Sequence, residues 1–490
     1  MSEPFDLIVV GGGVNGAGVA RDAAGRGARV LLLEAHDLAS GTSSASTKLV
    51  HGGLRYLEYG EIGLVREALL ERERLWRIAP HIVRPMRFVL PVLPEMRPRW
   101  MLRAGLALYD LLAIGGSLPR TRGVRLGEHP AGGPLAPGPV HALEYSDCWV
   151  DDARLVVLNA VDAAARGAEV RTGTPVIAAR REGELWRVET PAGSFAGRAL
   201  VNAAGPAAAQ VSQLAGEVPP YSIRPVRGSH IVVPRLFDHP FAYIFQLPDT
   251  RICFAIPWEE DFTLIGTTDA DHEGPLDHVT ASEAEIEYLC AAASRYFART
   301  VTPADVVHTY AGVRALVDDG SGRPEAATRG YRLPLSPRGA GAPLLGIYGG
   351  KITSYRHVAE AAADKLARRL PALAGPAWTA REPLPGGDFP REGQGELIAA
   401  LRGDYPFLSE RDARRIGRAY GTRAERWLGG AKEWSALGRQ FGAGLTEAEA
   451  DYLRREEWAR TAEDVLWRRT KLGLHMSEGE QAALKEWMGG

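Results

Sequence analysis

The chain has 490 residues, more than one compact core organises, since single cores stop growing near about 250 to 300 residues. Its 58 basic and 60 acidic side chains nearly cancel and the sequence pI is near 6.7, so no global electrostatic case exists for nucleic acid as the main partner. Cys148, Cys253 and Cys290 are widely spaced and form no CxxC pair, which gives no sign of a disulfide framework or an iron–sulfur or zinc site and suits a reducing cytoplasm; no metal is expected.

The N-terminus carries neither a basic region with an apolar core nor an Arg/Ser-rich transit pattern, so no export is expected. The run FDLIVV, Phe5–Val10, is short and apolar like a buried parallel strand, and it leads directly into GGGVNG. Gly11, Gly13 and Gly16 fit GxGxxG, GAGVARDAAGRG reads as a helix stopped at Gly25 and Gly27, and ARVLLLE is a second strand ending in an acid. Glu34 stands 18 residues beyond Gly16, where dinucleotide folds place the carboxylate that grips ribose hydroxyls. Glycines let the backbone approach a pyrophosphate, and the helix N-terminus offers N–H donors and a favourable dipole. Strand, glycines, helix, strand and acid in this order predict dinucleotide binding; the alternative is a tight turn that only packs a helix on a sheet.

Residues 41–60 read GTSSASTKLVHGGLRYLEYG, and a charged amphipathic helix with a solvated face follows in EIGLVREALLERERLWRIAPHIV. Proline-rich FVLPVLPEMRPRW breaks that pattern. No window reaches the roughly 18 uninterrupted apolar residues of a spanning helix; the nearest, residues 100–116, is interrupted by Arg103 and Asp110. At about 100° per residue these two share a face with Arg99, opposite Met101, Leu108 and Leu112, so an amphipathic helix is expected, either packed on the protein body or lying in a membrane interface. Residues 120–139 are rich in Gly and Pro and read as a loop or lid. WVDDARLVVLNAVDAAARG is helical in pattern, several short strands follow, and RALVNAAGP delivers a second small-residue turn. Residues 220–311 are β-rich, 341–370 read as strand, glycine turn and long helix, and beyond the linker at 376–390 the composition turns helical.

Six lysines occur, and none lies between Lys48 and Lys351. Arginine carries most of the positive charge, yet lysine is kept in two glycine- and hydroxyl-rich turns, STKLVHGG and GGKITSY. A compact ammonium suits a place where a planar guanidinium would clash; the alternative is a helix-terminal surface lysine.

GGGVNGAG, TSSASTKLVHGGLRYLE, GSHIVV, IGTTD, AGVRALV, GGKITSYR, LPGGDF and REEWARTAEDVLWRRTKLGL, in that order, resemble the FAD-dependent, quinone-linked glycerol-3-phosphate dehydrogenases over nearly the whole chain. The second and the last of these are the most specific, while the first is shared by many flavoproteins. The resemblance implies an α/β fold: a Rossmann-like FAD-binding domain of the glutathione-reductase/D-amino-acid-oxidase type, a β-rich substrate domain and a helical C-terminal domain. The expected pieces are 1–72, 146–212 and 333–375 for FAD, 73–145 and 213–332 for substrate, and 386–490 for the helical domain. It further implies oxidation of sn-glycerol 3-phosphate to dihydroxyacetone phosphate, hydride passing from C2 to flavin N5 and electrons to membrane quinone, by a homodimer held peripherally on the cytoplasmic face of the membrane.

Gly11, Gly13, Val14, Asn15, Gly16 and Glu34 are the expected dinucleotide contacts, and Val176, Ala204 and Gly205 belong to later turns beside the cofactor. Thr42, Ser43, Ser44, Ser46, Lys48, Leu49, His51, Gly52 and Gly53 in the first lysine turn, with Gly350, Lys351, Ile352 and Thr353 in the second, are assigned to the flavin. His51 is expected to pack against or hydrogen-bond the ring rather than act as base. Oxidising a secondary alcohol needs a base for the hydroxyl proton and cations for the phosphate. His230 is the expected base, its alternative a structural histidine. Arg314 is expected to stabilise a developing alkoxide or bind phosphate, with Lys351 beside it as a further catalytic cation. Arg55 and Arg332 are further phosphate ligands, Tyr56 orients substrate, and Thr268, with Thr267 and Asp269, positions a polar group. An oxygen-reducing glycerol-3-phosphate oxidase is the nearest alternative. The absence of a cysteine-rich region and of a DxDxDG loop disfavours the iron–sulfur and calcium-regulated relatives. A flavin-binding or RNA-modifying flavoprotein is the alternative from another class.

Overall fold

A computed structural model describes residues 3–93, 95, 97–318 and 330–489. Part of the expected 213–332 piece, residues 319–329, lies outside them. Among the described residues two large sheets meet, one of seven strands and one of ten.

Phe5–Val10 is almost wholly apolar, so it lies at the centre of the smaller sheet with both faces covered, parallel to Val30–Leu33 on one side and Gly193–Asn202 on the other. Glu169–Arg171 extends the sheet beyond Val30–Leu33, and Leu344–Gly346 pairs in parallel with Leu200–Asn202. A segment far along the chain thus returns beside the first strand. The Val14–Gly25, Asp152–Ala165 and Tyr355–Ala367 helices share one core under this sheet. Gly18 allows the close approach: a Cβ there would stand 2.8 Å from the Tyr355 ring.

The ten-stranded sheet is mainly antiparallel. Its long Ile223–Pro234 strand pairs with Phe262–Gly266 and His308–Val317, setting His230 opposite both Gly266 and Tyr310. Leu49–Val50 pairs with Cys148–Trp149 of the same sheet, so the segment after the dinucleotide fold is stitched into the second domain. The boundary expected at 145/146 falls inside one strand, His141–Val150.

Two expectations change here. Residues 120–139 are not a free lid: Arg122–Arg125 pairs with residues 141–144, and Leu126, Ala131 and Leu135 are buried in the apolar core against the ten-stranded sheet. In the Arg99–Leu112 helix the inward face is Leu106 and Tyr109, with Met101 exposed, because Tyr109 finds buried polar partners that the expected face lacks.

The C-terminal helices Gln394–Asp404, Glu410–Tyr420, Glu447–Glu456 and Glu478–Trp487 enclose a separate apolar core, joined by a small hairpin, Gln440–Gly442 with Leu445–Thr446. Buried ion pairs fasten this domain to the rest. Arg154 donates to Glu457 through two nitrogens, one contact being 2.9 Å, Arg469 donates to Asp37 at 2.7 and 2.8 Å, and Lys471 meets Asp151. Removing one member of a buried pair strands the other charge. Glu457→Gln should therefore cost about 3 to 5 kcal/mol, read from denaturant unfolding, while the double change Arg154→Met with Glu457→Met costs less.

His81 lies in the same seam, its ring 6.4 Å from that of Phe389. Removal from water, then the Arg154 charge, push its pKa from 6.5 down to about 3. Below pH 6.5 the unfolded chain takes up a proton that the folded chain refuses until about pH 3. The stability this site contributes is full above pH 6.5 and drains as the pH falls towards 3. In thermal melts taken across that range, His81→Gln should flatten the acid-side loss.

Candidate active site

A cleft of about 1330 Å³ opens between the two sheets and runs from the first glycine turn to the ten-stranded sheet, with C-terminal residues along one wall. At its base a side chain is excluded by backbone. A Cβ on Gly11, whose φ is +109°, would lie 2.7 Å from the Ala203 oxygen, and one on Gly16 would lie 1.9 Å from the Gly11 oxygen. Gly16 therefore packs the helix onto the turn and does not itself line the cleft, whereas Gly11, Gly13, Val14 and Asn15 do. Asn15 Oδ1 is buried with no partner among the described residues, an acceptor left for a ligand. Glu34 ends its strand with both oxygens engaged, accepting from Gly12 N at 2.5 Å and His36 N at 2.8 Å, and burial raises its pKa. Ser43 Oγ accepts from Val14 N at 3.0 Å at the helix start, and Val176, Ala204 and Gly205 line the same end.

Residues 41–53 hold their shape through side chains. Lys48, in the left-handed region at φ +59°, buries its ammonium, which donates to Asp152 Oδ1 at 2.9 Å and Ser44 O at 3.0 Å. The other Asp152 oxygen accepts from Ser46 Oγ at 2.7 Å and Ser46 N at 3.2 Å. Thr42 Oγ1 donates to Val313 O at 2.5 Å across to the ten-stranded sheet. Lys48, assigned to the flavin turn, lines the cleft, and its ammonium is paired with Asp152.

The second lysine turn does meet the first. His51 N donates to Thr353 Oγ1 at 3.3 Å, and Lys351 Nζ stands 3.5 Å from the centre of the Tyr56 ring. Gly350, Lys351, Ile352 and Thr353 line the cleft together with Thr42, Ser44, Ser46, Leu49, His51 and Gly53. Gly52 does not, since its amide points away, to Tyr109. Burial, then Lys351 and Arg72, push the His51 pKa down to about 3, so its imidazole is neutral throughout the physiological range.

Farther along, Arg55, Tyr56 and Arg314 line the cleft. Arg314 is held firmly, donating to Thr268 O at 3.0 Å, Asp269 Oδ1 at 2.7 Å and Thr267 Oγ1 at 2.8 Å. A Cβ on Gly228 would fall 2.2 Å from the Arg314 guanidinium, so that glycine makes room for it. No hydrogen bond or ion pair occupies the Arg55 guanidinium among the described residues, and its Nε is buried. His230 is fully buried and stands behind the wall, stacked on Tyr310 at 4.8 Å, with Nε2 2.9 Å from the Thr47 hydroxyl that lines the cleft. Burial, then the Arg314 and Lys48 charges, hold His230 well below its ordinary pKa.

Thr268 also lies behind the wall, its hydroxyl donating to Glu285 at 2.7 Å and accepting from Ser229 N at 2.9 Å. Arg332 departs furthest from expectation. It is exposed, donates to Tyr331 O at 3.1 Å and does not line the cleft, because Tyr331–Arg332 pairs with Tyr348–Gly349 on the far side of the glycine turn. Sequence reasoning missed Asp152, Tyr109 and Asp147. A pair of acids opening a helix, as in VDDAR, was the available signal for the first; nothing local marked the other two.

The comparisons agree with this geometry. Residues 6–337 match the FAD dependent oxidoreductase family and residues 377–488 the C-terminal domain of alpha-glycerophosphate oxidase. The chain is 50% identical to a D-erythritol 1-phosphate dehydrogenase of Brucella abortus, over 99% of this chain and 98% of that one. It is 49% identical to a glycerol-3-phosphate dehydrogenase of Pseudomonas aeruginosa, over 100% and 96%. The FAD-complexed glycerol-3-phosphate dehydrogenase structure of Bacillus halodurans shares the fold at a TM-score of 0.77 and 24% identity, covering 99% of this chain and 94% of that one. FAD fits the site observed: a first glycine turn closed to a Cβ at Gly11 and Gly16, an orphaned Asn15 acceptor and a long cleft. Gly11→Ala, which forces a methyl into the Ala203 carbonyl, should release FAD during gel filtration, measured as the flavin-to-protein absorbance ratio.

Proposed function

The chain belongs to the FAD-dependent oxidoreductases, and from that premise we propose that it oxidises sn-glycerol 3-phosphate to dihydroxyacetone phosphate and passes the electrons to a membrane quinone. The observation that carries the reading is that Arg55, Tyr56, Arg314 and Lys351 face the same cleft as the dinucleotide turn. FAD, when bound, supplies the acceptor for the hydride leaving the carbinol carbon. The protein's own part is positioning and proton transfer. Arg55 meets the phosphate, where a planar guanidinium offers two parallel hydrogen bonds. Arg314, already fixed, faces the reacting oxygen. His230 is uncharged and touches Thr47, so the hydroxyl proton of the substrate leaves through the Thr47 hydroxyl to Nε2. Lys351 and Tyr56 close the cleft beside them.

The 50% identity to a D-erythritol 1-phosphate dehydrogenase favours a second reading, a longer alditol phosphate carrying the same phosphate and secondary alcohol. Anaerobic titration decides between them. sn-Glycerol 3-phosphate should bleach the flavin with kcat/KM at least about tenfold above D-erythritol 1-phosphate, a difference of about 1.4 kcal/mol. The reverse order moves the assignment to the longer substrate, and no bleaching with either removes both. Arg314→Lys should lower kcat by about 10² or more, as loss of a preorganised charge-stabilising donor does, with FAD retained. Reoxidation by a soluble quinone analogue faster than by oxygen separates dehydrogenase from oxidase.

The proposed place of action is the inner face of the membrane, as a peripheral homodimer. Among the described residues no helix is long and apolar enough to cross a membrane. The Arg99–Leu112 helix and its end instead present Trp100, Leu111 and Ile114 outward at 72, 59 and 63% exposure, with Arg103 exposed among them. An apolar strip edged by basic residues is suited to a headgroup layer. The pair Trp100→Ser and Leu111→Ser should abolish co-sedimentation with anionic phospholipid vesicles while dye-linked dehydrogenase activity in solution stays unchanged.

A further inference from the structure

We propose that Tyr109 is a positioning residue for the redox site: its hydroxyl fixes the Gly52 amide and, through it, the 51–53 turn that lines the cleft. The inference rests on the reading above only in taking that turn to face the flavin. His51 and Gly53 line the cleft while Gly52 between them does not. The Gly52 N–H points the other way, into the protein, and donates to Tyr109 Oη at 2.8 Å. Tyr109 in turn donates to Asp147, with 2.8 and 2.9 Å to its two oxygens. Arg72 completes the chain, donating to Asp147 Oδ1 at 2.8 Å and Ser146 O at 3.0 Å. Arg72, Tyr109 and Asp147 are all buried, so these bonds are shielded from exchange with water.

The fit around Gly52 is tight. A Cβ on Gly52 would stand 2.7 Å from both Tyr109 Oη and the Leu69 side chain. The neighbouring residues are pinned on the opposite side: Gly53, at φ +79°, packs on the Tyr56 ring, and His51 bonds Thr353. The central peptide of the turn is therefore held from behind by the Tyr109 hydroxyl, on the buried face of its helix, with the Asp147 carboxylate next to it. Without that hydroxyl the amide loses its 2.8 Å acceptor, and the turn must shift towards the Asp147 carboxylate to satisfy it. A shift moves His51 and Gly53, the two groups on the cleft.

Tyr109→Phe deletes the hydroxyl alone, and Leu106→Ala, on the same face of the same helix, is the packing control. Both holoenzymes are assayed for FAD content, flavin spectrum, anaerobic single-turnover reduction and steady-state kinetics with sn-glycerol 3-phosphate. Tyr109→Phe should retain FAD, shift the visible flavin bands and slow reduction and kcat about tenfold with KM unchanged; Leu106→Ala should lower the melting temperature and leave the spectrum and kcat alone. Asp147→Asn, which weakens the bridge from its far end, should give the same changes at smaller size, and decides the matter should Tyr109→Phe not accumulate folded. If the Tyr109 variant matches the Leu106 control, or Asp147→Asn leaves spectrum and rate untouched, the positioning role is overturned. A wild-type protein that holds FAD but is not reduced by the substrate defeats the functional reading instead, and the spectral shift alone then judges Tyr109.

Discussion

The ion pair between Lys48 and Asp152 is the contact on which the cleft depends. Residues 41–53 contain little regular structure, yet they must present a fixed surface, and ordering each backbone residue costs on the order of 1–2 kcal/mol. Asp152 meets that demand at one point. Its two oxygens gather Lys48 Nζ, Ser46 N and Ser46 Oγ, and it belongs to the first turn of a helix, where the N-terminal dipole favours a carboxylate. Lys48 is held at φ +59° by these bonds, since a lysine has no intrinsic reason to be left-handed. The ammonium also faces the Tyr310 ring at 4.8 Å, and so ties the loop to the strand that carries Arg314.

The same helix start serves the C-terminal domain. Asp151, next in the chain, caps the helix by accepting from Arg154 N and takes Lys471, while Arg154 reaches Glu457 and Asp37 takes Arg468 and Arg469. The most specific C-terminal motif, WRRTKLGL, thus supplies cations to carboxylates on either side of the loop and need not touch a ligand to be required. Buried pairs of this kind add little net stability compared with apolar packing, but any alternative arrangement leaves a charge stranded. They specify one docking geometry for three pieces of chain.

The first strand, glycine turn, helix and acid were legible because they are local: each is set by residues within a few positions, and the spacing from Gly16 to Glu34 is a feature of one βαβ unit. The two lysine turns were legible as a pair by composition, and their contact through His51 and Thr353 follows only from the parallel return of Leu344–Gly346 beside Leu200–Asn202. What sequence could not supply was direction. Lys48 and Lys351 sit in similar words, STK and GGK, yet one ammonium goes to a buried aspartate and the other to an aromatic face. His230 lies in an alternating strand whose phase does not say which side meets the cleft, and Arg332 lies in a two-residue strand whose pairing alone puts it outside. The face of the Arg99–Leu112 helix was misjudged for a related reason: hydrophobicity ranks Met101 above Tyr109, but a tyrosine whose hydroxyl has buried partners outcompetes a methionine for the interior.

Within the proposed reaction, the difference in restraint between Arg314 and Arg55 divides their labour. Arg314 is clamped by a carboxylate, a carbonyl and a hydroxyl, with Gly228 cleared to seat it. A donor fixed before the reaction pays no reorganisation when charge develops, and its benefit is therefore greatest at the oxygen that gains charge in the transition state. Asp269 offsets part of its charge in the ground state, which suits an interaction that should strengthen only as the proton leaves. Arg55 has no such clamp. A guanidinium that the protein does not restrain can follow a phosphate whose charge is the same in substrate and product, and so contributes to binding alike at every stage. His230 completes the arrangement: flanked by Arg314 and Lys48 and removed from water, it enters the reaction uncharged, and once it has taken the proton through Thr47 it is left beside two cations that favour returning it. The proton then passes back through Thr47 to water entering the cleft once the ketone has left, which readies His230 for the next substrate.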